Sequence, residues 1–301
     1  MDPILQLLGV KRSFGSIRAV DGVDLSVPRG AIYGILGPNG AGKTTTIRMI
    51  LNIYIPDEGK ILFDGGRLDR HAINHIGYLP EERGLYKRMR VEEHVVYLAR
   101  LKGVPTAEAK RRARLWLERF GLDDRASAKT DELSKGMQQK VQFIGTVISE
   151  PQMVVLDEPF SGLDPINVKL LREIIEEIRA AGRTVLFSTH VMEQAEQICD
   201  HIFLINDGRK VLDGKLEDIV ENYPVDNVRV SGEFEAQTFE NIAAVDSTKR
   251  NGNEMLVRLK DGFVAQDLLL ELVKRGRVDR FAAARPPLSE IFIREVERSR
   301  E

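Results

Sequence analysis

The stretch Gly37-Pro38-Asn39-Gly40-Ala41-Gly42-Lys43-Thr44 fits the phosphate-binding P-loop pattern G-x-x-x-x-G-K-[ST]. The apolar run at residues 32–36 predicts a buried strand before it, and apolar residues at helical spacing from Ile47 onward predict a helix after it. Glycines let such a loop curl so that its amides point at phosphate oxygens, and the helix dipole adds to the attraction. Lys43 is expected to reach the terminal phosphates, and Thr44 to offer its hydroxyl to Mg²⁺. The alternative, a Gly-rich turn without a ligand, is disfavoured because the lysine, the hydroxyl and both flanking elements agree.

The composition is typical of a globular protein with one large or two moderate domains. The chain has 301 residues, of which 43% are hydrophobic and 30% charged, and its net charge is −2. The basic runs Lys87-Arg88 and Lys110-Arg111-Arg112 are short, so nucleic acid is not an expected partner. Cys199 is the only cysteine, which excludes an intramolecular disulfide and fits a reducing cytosol. No signal peptide begins the chain and no apolar run approaches the roughly 18 residues of a membrane span, so we expect another chain to provide any membrane-spanning part.

Two adjacent carboxylates follow a second apolar run, at residues 153–156. The carboxyl ends of strands in parallel sheets are where ligands bind. Asp157 suits a grip on Mg²⁺, and Glu158 can face a water in line with the γ-phosphate, which makes it the candidate general base. The alternative is an exposed Asp-Glu turn, which the upstream P-loop disfavours.

Strand and helix patterns alternate around the P-loop, which predicts an α/β fold with a mostly parallel sheet, accompanied by an antiparallel β region. Helical character from about residue 88 to 150 predicts a helical subdomain with apolar stripes that include Leu101 and Leu115. Residues 1–220 are expected to form this first domain. Residues 221–301 follow the order strand-helix-strand-strand-helix-strand, which predicts a small α+β domain of ferredoxin-like type with a regulatory or interaction role.

Several further motifs resemble those of the ATP-binding-cassette (ABC) ATPases. The stretch Leu133-Ser134-Lys135-Gly136-Met137-Gln138-Gln139 resembles the family's signature motif, usually written L-S-G-G-Q. Ser161-Gly162-Leu163-Asp164 is similar to its D-loop, and Ser188-Thr189-His190 to its switch histidine segment. Phe14 stands where the family keeps an aromatic residue for stacking on adenine. The ordered set is specific, and the resemblance to a P-loop NTPase cassette covers about residues 4–215.

The resemblance implies that two cassettes dimerise head to tail and enclose ATP between the P-loop of one and the signature motif of the other. Ser134 is a good N-cap, and the free amides after it, with Gly136 allowing close approach, would form a second anion site. One chain has one P-loop and one signature, so a second cassette is expected, as a homodimer or a heterodimer. His190 would sense the γ-phosphate; the alternative, a buried structural histidine, is disfavoured by its place after an apolar strand.

The residues that the motifs and the resemblance together assign to the site fall into three groups. The nucleotide contacts are Phe14, Gly37, Pro38, Asn39, Gly40, Ala41, Gly42, Lys43, Thr44, Thr45, Ser134, Lys135, Gly136, Met137 and Asp164, the Mg²⁺ ligands are Thr44, Glu81 and Asp157, and the catalytic residues are Lys43, Glu158 and His190.

The sequence departs from the family pattern at two places. Lys135 and Met137 replace the commoner Gly and Gln of the signature motif, which adds a positive charge beside the anion site and removes an amide group. Glu81 replaces the usual glutamine of the Q-loop, and its carboxylate can still ligate Mg²⁺. The stretch Leu79-Pro80-Glu81-Glu82-Arg83-Gly84-Leu85-Tyr86 resembles a subgroup of bacterial sodium-efflux and drug-efflux ATPases, as does the additional C-terminal domain.

The resemblance implies an ATPase at the cytoplasmic face of the cell membrane that powers solute export through a separate membrane permease. One alternative is a non-transport cassette that acts on nucleic acid or ribosomes, but the second cassette, coiled-coil insertions and Cys-rich zinc modules usual in that class are not seen. Another is a different P-loop enzyme, such as a kinase or a GTPase; the signature motif and His190 oppose it, and no Asn-Lys-x-Asp guanine motif is seen. The sequence does not name the transported solute.

Overall fold

The computed structural model describes residues 2–82, 84–235 and 237–298, except for the side chain of Asn251. Met1, residues 299–301 and Arg83, which belongs to the efflux-type stretch, lie outside the described residues. The chain divides into two compact units, Met1–Gly214 and Lys215–Glu301. The sequence predicts a domain boundary at residues 220 and 221, close to this division.

The first unit contains ten strands and seven α-helices within the described residues. In chain order they are β1 (Pro3–Phe14), β2 (Ile17–Pro28), β3 (Ile32–Leu36), α1 (Lys43–Ile50), β4 (Glu58–Phe63), β5 (Gly66–Arg67), α2 (Arg70–Asn74), β6 (Ile76–Leu79), α3 (Val91–Leu101), α4 (Thr106–Arg119), α5 (Lys135–Val147), β7 (Met153–Asp157), α6 (Pro165–Ala180), β8 (Thr184–Thr189), α7 (Met192–Ile198), β9 (His201–Asn206) and β10 (Arg209–Lys215).

Two sheets organise this unit. One has the order β2-β1-β4-β5, and its adjacent strands are antiparallel. The other has the order β10-β9-β3-β8-β7-β6, and the neighbours from β9 to β6 run parallel. Every residue of β3, β7 and β8 is buried, as expected for central strands covered on both faces. The predicted α/β fold with a mostly parallel sheet and an antiparallel region is therefore confirmed.

The order of the parallel strands places four functional segments side by side. β3 leads into the P-loop, β8 into His190, β7 into Glu158 and β6 into Glu81. These strands are consecutive neighbours in the sheet. Because parallel strands end at the same edge, segments far apart in sequence meet there.

The helices α3, α4 and α5 lie in the predicted helical region. α3 buries Val91, Val95 and Ala99, and α4 buries Ala109, Ala113 and Leu117. The prediction was wrong for Leu101 and Leu115, which are 59% and 54% exposed. Each lies two positions from a buried residue, which is about 200° around the helix, and so faces away from the core.

The second unit contains three further helices of more than four residues, one short helix and four strands among the described residues. They are α8 (Leu216–Glu221), β11 (Asn227–Gly232), α9 (Gln237–Glu240), β12 (Val245–Asn251), β13 (Glu254–Leu259), α10 (Ala265–Arg275), β14 (Val278–Ala284) and α11 (Leu288–Arg298).

The strands of this unit form an antiparallel sheet in the order β12-β13-β11-β14. Residues that include Val228, Val257, Phe239, Leu268 and Leu272 form its core. The predicted strand-helix-strand-strand-helix-strand order is confirmed, and this sheet order is that of a ferredoxin-like domain. None of the helices within the described residues combines the length and apolar character that a bilayer crossing requires.

Candidate functional site

The backbone of the P-loop passes so close to neighbouring segments that side chains are excluded at two of its glycines. A Cβ atom at Gly37 would lie 2.2 Å from the carbonyl oxygen of Ile205, and one at Gly42 would lie 2.5 Å from that of Ala19. Gly42 also has a φ of 107° and is the N-cap of α1. Only glycine fits these positions. Because α1 begins directly after Gly42, the amides of its first turn lack helical partners and face the loop.

Lys43 folds back over the loop. Its ammonium donates to the carbonyl oxygens of Gly37, at 2.8 Å, and Pro38, at 3.0 Å. Burial lowers the pKa of Lys43, while the carboxylates of Glu158, Asp157 and Glu81 act in the opposite direction. Lys43 is thus a buried cation with acidic groups around it, a position from which it can neutralise phosphate charge.

Ser188 links the Asp157 carboxylate to the backbone of Glu158 at the end of β7. Its hydroxyl donates to Asp157 Oδ1, at 2.5 Å, and accepts from the backbone amide of Glu158, at 3.1 Å. Burial raises the pKa of Asp157, and the hydroxyls of Ser188 and Thr44 near the carboxyl lower it. One hydroxyl of β8 therefore holds the Asp157 carboxylate, predicted for metal binding, and the backbone of Glu158, the residue predicted for catalysis.

Asp157 and Thr44 fit a hard cation. Asp157 is 2% exposed, and its Oδ2 atom is buried without a hydrogen-bond partner among the described residues. Thr44 supplies a hydroxyl beside the same carboxylate. The described part of the chain contains no cluster of three or more His, Cys, Asp or Glu side chains that could hold a metal by themselves. A site with few protein ligands suits Mg²⁺, which keeps several waters and also binds phosphates.

Glu158 lies between a cation and an imidazole. Its Oε1 atom is 2.9 Å from His190 Nδ1 and 3.9 Å from Lys43 Nζ. The Glu158 side chain is 11% exposed and that of His190 is 49% exposed. Glu158 has a φ of 49°, a conformation that non-glycine residues rarely adopt and that is often found at functional sites.

A cleft of about 350 Å³ joins these groups. It is lined by P-loop residues Asn39, Gly40, Gly42, Lys43, Thr44 and Thr45, and by Ala19, Glu81, Glu158, Ser161 and His190. The structure thus brings the P-loop together with Glu81, Glu158 and His190, which come from three other strands.

The cleft is not lined by the predicted nucleotide contacts outside the P-loop, which are Phe14, Ser134, Lys135, Gly136, Met137 and Asp164. Phe14 is 39% exposed in the β1–β2 hairpin, where its ring meets that of Tyr54 at 5.3 Å between centroids. Ser134 caps α5 by accepting from the amide of Met137 at 3.3 Å, and Lys135 beside it is exposed. Asp164 caps α6 and accepts from two amides of its first turn at 3.0 Å.

Two residues contribute contacts that the sequence did not assign to them. Besides Ser188, Gln139 in the signature helix donates from Nε2 to the carbonyl oxygen of Pro159, at 2.7 Å. This bond ties α5 to the residue that follows Glu158. The sequence shows that Ser188 carries a hydroxyl two residues before His190. It does not show what this hydroxyl bonds to, because its partner depends on β7 and β8 being neighbours in the sheet.

Comparison with known proteins agrees with this geometry. The ABC transporter family model matches residues 20–161, and the model of the ATP-binding protein DrrA1-3-like, C-terminal domain, matches residues 214–296. The uncharacterized ABC transporter ATP-binding protein YhaQ of Bacillus subtilis (strain 168) is 41% identical over 287 residues, which cover 95% of this chain and 96% of that protein.

Two further similarities cover a smaller share of the chain. The Nod factor export ATP-binding protein I of Ralstonia nicotianae is 37% identical over 221 residues, which cover 72% of this chain and 69% of that protein. A solved structure of the ATP binding subunit of an ABC transporter superposes with a TM-score of 0.69 at 34% identity, over 73% of this chain and 92% of that one. The P-loop, the Asp157–Glu158 pair and these similarities lead to one conclusion: the chain belongs to the family of ABC transporter ATP-binding proteins.

Proposed function

We propose that the chain is the ATP-hydrolysing subunit of an ABC exporter and acts at the cytoplasmic face of the membrane with a separate permease. The observation that carries hydrolysis is the position of the Glu158 carboxylate, 2.9 Å from His190 Nδ1 and within 3.9 Å of Lys43 at the P-loop cleft. Export is supported by the relative named for Nod factor export, by the efflux-type stretch at residues 79–86 and by the match of the second unit to a DrrA1-3-like C-terminal domain.

In this proposal each group of the cleft has one task. The P-loop amides and Lys43 hold the β- and γ-phosphates of ATP. Thr44 and Asp157 would hold Mg²⁺, with Glu81 near them, and the ion neutralises charge that develops on the phosphates. Glu158 accepts a proton from the attacking water, and His190 orients the Glu158 carboxylate and faces the γ-phosphate.

A second cassette completes the proposed site. The exposed start of α5, at Ser134 and Lys135, offers free amides and a positive charge but does not line the cleft of its own chain. A partner cassette, either a second copy or a different chain, would place its own signature segment over the nucleotide. We infer that ATP closes the pair and that hydrolysis reopens it.

The test is Glu158→Gln, with Glu193→Gln as the matched control. Glu193 is an exposed glutamate at the start of α7 and does not line the cleft. We expect Glu158→Gln to keep ATP binding, to lower kcat by about 10²-fold or more, and to accumulate a dimer with ATP in size-exclusion chromatography with light scattering. The control should behave as the parent does. Hydrolysis by Glu158→Gln at the parent's rate would refute the assignment of the general base.

A further inference from the structure

The turn that follows β7 holds Glu158 in an uncommon backbone conformation. Glu158 has a φ of 49°, and its side chain lines the P-loop cleft. A conformation of this kind persists only where the surrounding structure over-determines it. The contacts that hold residues 158–160 therefore decide where the Glu158 carboxylate lies.

The peptide units of this turn are held by three separate hydrogen bonds. The amide of Glu158 donates to Ser188 Oγ at 3.1 Å, and the carbonyl oxygen of Glu158 accepts from the amide of Ser161 at 3.1 Å. The next carbonyl oxygen, that of Pro159, accepts from Gln139 Nε2 at 2.7 Å. Because the proline ring fixes the φ angle of Pro159, holding its carbonyl also limits how the preceding peptide unit can turn.

Gln139 is the donor that satisfies the Pro159 carbonyl. Pro159 is buried, and among the described residues no backbone amide donates to its carbonyl oxygen. Gln139 and Pro159 line a cavity of about 10 Å³ together with apolar side chains that include Phe120 and Phe143. A cavity of this size is at the lower limit for one water molecule. Loss of the Gln139 amide would therefore leave a buried carbonyl without a partner.

The side chain that follows Pro159 is held by other elements. Phe160 is 4% exposed, its ring lies 6.1 Å from that of Phe187 between centroids, and the Arg172 guanidinium lies 5.7 Å from its ring centroid. These contacts come from β8 and α6. The bond from Gln139 is thus the contact through which α5, the helix that begins at the signature motif, holds this turn.

We propose that Gln139 is a positioning residue for ATP hydrolysis: its side-chain N–H holds the Pro159 carbonyl and thereby keeps the Glu158 carboxylate in place to accept a proton from water. Gln139 does not line the P-loop cleft, so it acts through Glu158 and not on the nucleotide. The proposal rests on the proposed function, in which Glu158 is the general base. It adds that the signature helix of the same chain sets the position of the base, and that an N–H donor at position 139 is required.

The first experiment separates positioning from ATP binding. Gln139→Met has a similar length and no donor. We expect it to lower kcat by about 10-fold to 10²-fold and to leave the KM for ATP within about twofold of the parent's, because a displaced base slows the reaction while the P-loop is unchanged. A parent-like kcat, or a loss of ATP binding that matches the loss of kcat, would overturn the proposal.

Lys140→Met is the matched control. Lys140 is the next residue of α5, and its ammonium donates to the carbonyl oxygen of Phe120 at 3.1 Å. The control thus loses a bond of the same kind from the same helix without touching the turn of Glu158. We expect it to keep the parent's kcat, and urea unfolding of both variants checks that each one folds.

The second experiment tests the chemistry of the donor. Gln139→Glu has nearly the same shape, but its ionised carboxylate cannot donate, so it should be as slow as Gln139→Met. Gln139→Arg keeps N–H donors and should recover most of the parent's kcat. An equal loss of kcat in all three variants would show that shape and not the donor matters, and would overturn the proposal.

A double-mutant cycle tests whether Gln139 acts through Glu158. In the Glu158→Gln background, Gln139→Met should lower the residual kcat by less than about twofold, because the base that it positions is already lost. Losses that multiply would mean that Gln139 acts independently of Glu158, and would overturn the proposal.

The two failures are distinguishable. If Glu158→Gln is impaired while Gln139→Met hydrolyses ATP at the parent's rate, the positioning role is refuted and the proposed function stands. If Glu158→Gln hydrolyses ATP at the parent's rate, the proposed general base itself fails, and the role of Gln139 fails with it.

Discussion

Ser188→Ala tests whether one hydroxyl positions both the Asp157 carboxylate and the backbone of Glu158. Ser188 is fully buried and pairs in register with Asp157 across β8 and β7. The substitution removes a hydrogen bond to a charged group, worth about 1.5–3 kcal/mol, and one to the amide of Glu158, worth about 0.5–1.5 kcal/mol. We expect the free energy of unfolding, measured with urea, to fall by about 2–4 kcal/mol.

The same variant should change the response to pH and to Mg²⁺. Burial raises the pKa of Asp157 above its usual value, so stability is lost as the pH rises from the unfolded-state pKa through the raised folded-state pKa, and it stays lost above that pKa. Ser188 opposes this effect, and its loss should raise the pKa further. The destabilisation by Ser188→Ala should therefore be smaller in acid, where the carboxyl is protonated in both proteins, and larger near neutral pH. Half-maximal ATPase activity should then require more Mg²⁺, because the ion competes with a proton that the carboxyl with the higher pKa binds more tightly.

Thr189→Val is the matched control for these measurements. Thr189 is the next residue of β8 and is equally buried. Its hydroxyl donates to Gln194 at 2.9 Å and accepts from the amide of Val191 at 3.1 Å, so the control loses the same number of hydrogen bonds without touching a carboxylate. The Mg²⁺ requirement and the pH dependence of stability should differ between Ser188→Ala and Thr189→Val. Equal values for the two variants would refute the role assigned to Ser188.

The remaining predictions concern three other side chains. Lys43→Ala should abolish nucleotide binding, measured with a fluorescent ATP analogue, because the buried cation at the loop is lost; retained micromolar affinity would remove Lys43 from this role. Glu81→Gln should leave basal ATPase activity broadly intact and alter its stimulation by the permease, and an inactive variant would assign the carboxylate a catalytic task. His94 has a pKa of about 4 in the fold against a usual 6.5, so the unfolded chain takes up a proton first and the fold should lose about 3 kcal/mol as the pH falls from 6.5 to 4. His94→Leu should flatten this part of the urea-unfolding profile, and an unchanged slope would contradict the assignment.

Local patterns in the sequence were enough to predict the elements that carry the site. The P-loop between β3 and α1, and the cap of α5 at Ser134, depend on residues a few positions apart, so their sequence signals are strong. The ferredoxin-like order of the second unit followed from the succession of strand and helix patterns, and its sheet order agrees.

Contacts between distant segments could not be predicted from local sequence patterns. The bond from Ser188 to Asp157 joins residues 31 positions apart and exists because β7 and β8 are neighbours. The position of Lys102 against the carbonyl of Ile73 depends on how α3 packs on the core. Leu101 and Leu115 were wrongly expected in buried stripes, because an apolar residue near a stripe need not share its face.

The side-by-side ends of β3, β8, β7 and β6 make the cleft a junction of four polypeptide paths. Neighbouring strands are about 4.8 Å apart, so all four ends lie within roughly 15 Å of one another. From that edge the chain departs into α1, α7, α6 and the segment that leads to α3. If the cleft holds ATP as proposed, release of a phosphate would remove contacts from all four segments together. A substitution that loosens one of these segments should weaken the coupling between hydrolysis and domain movement only in part. A substitution that displaces the shared edge should abolish this coupling.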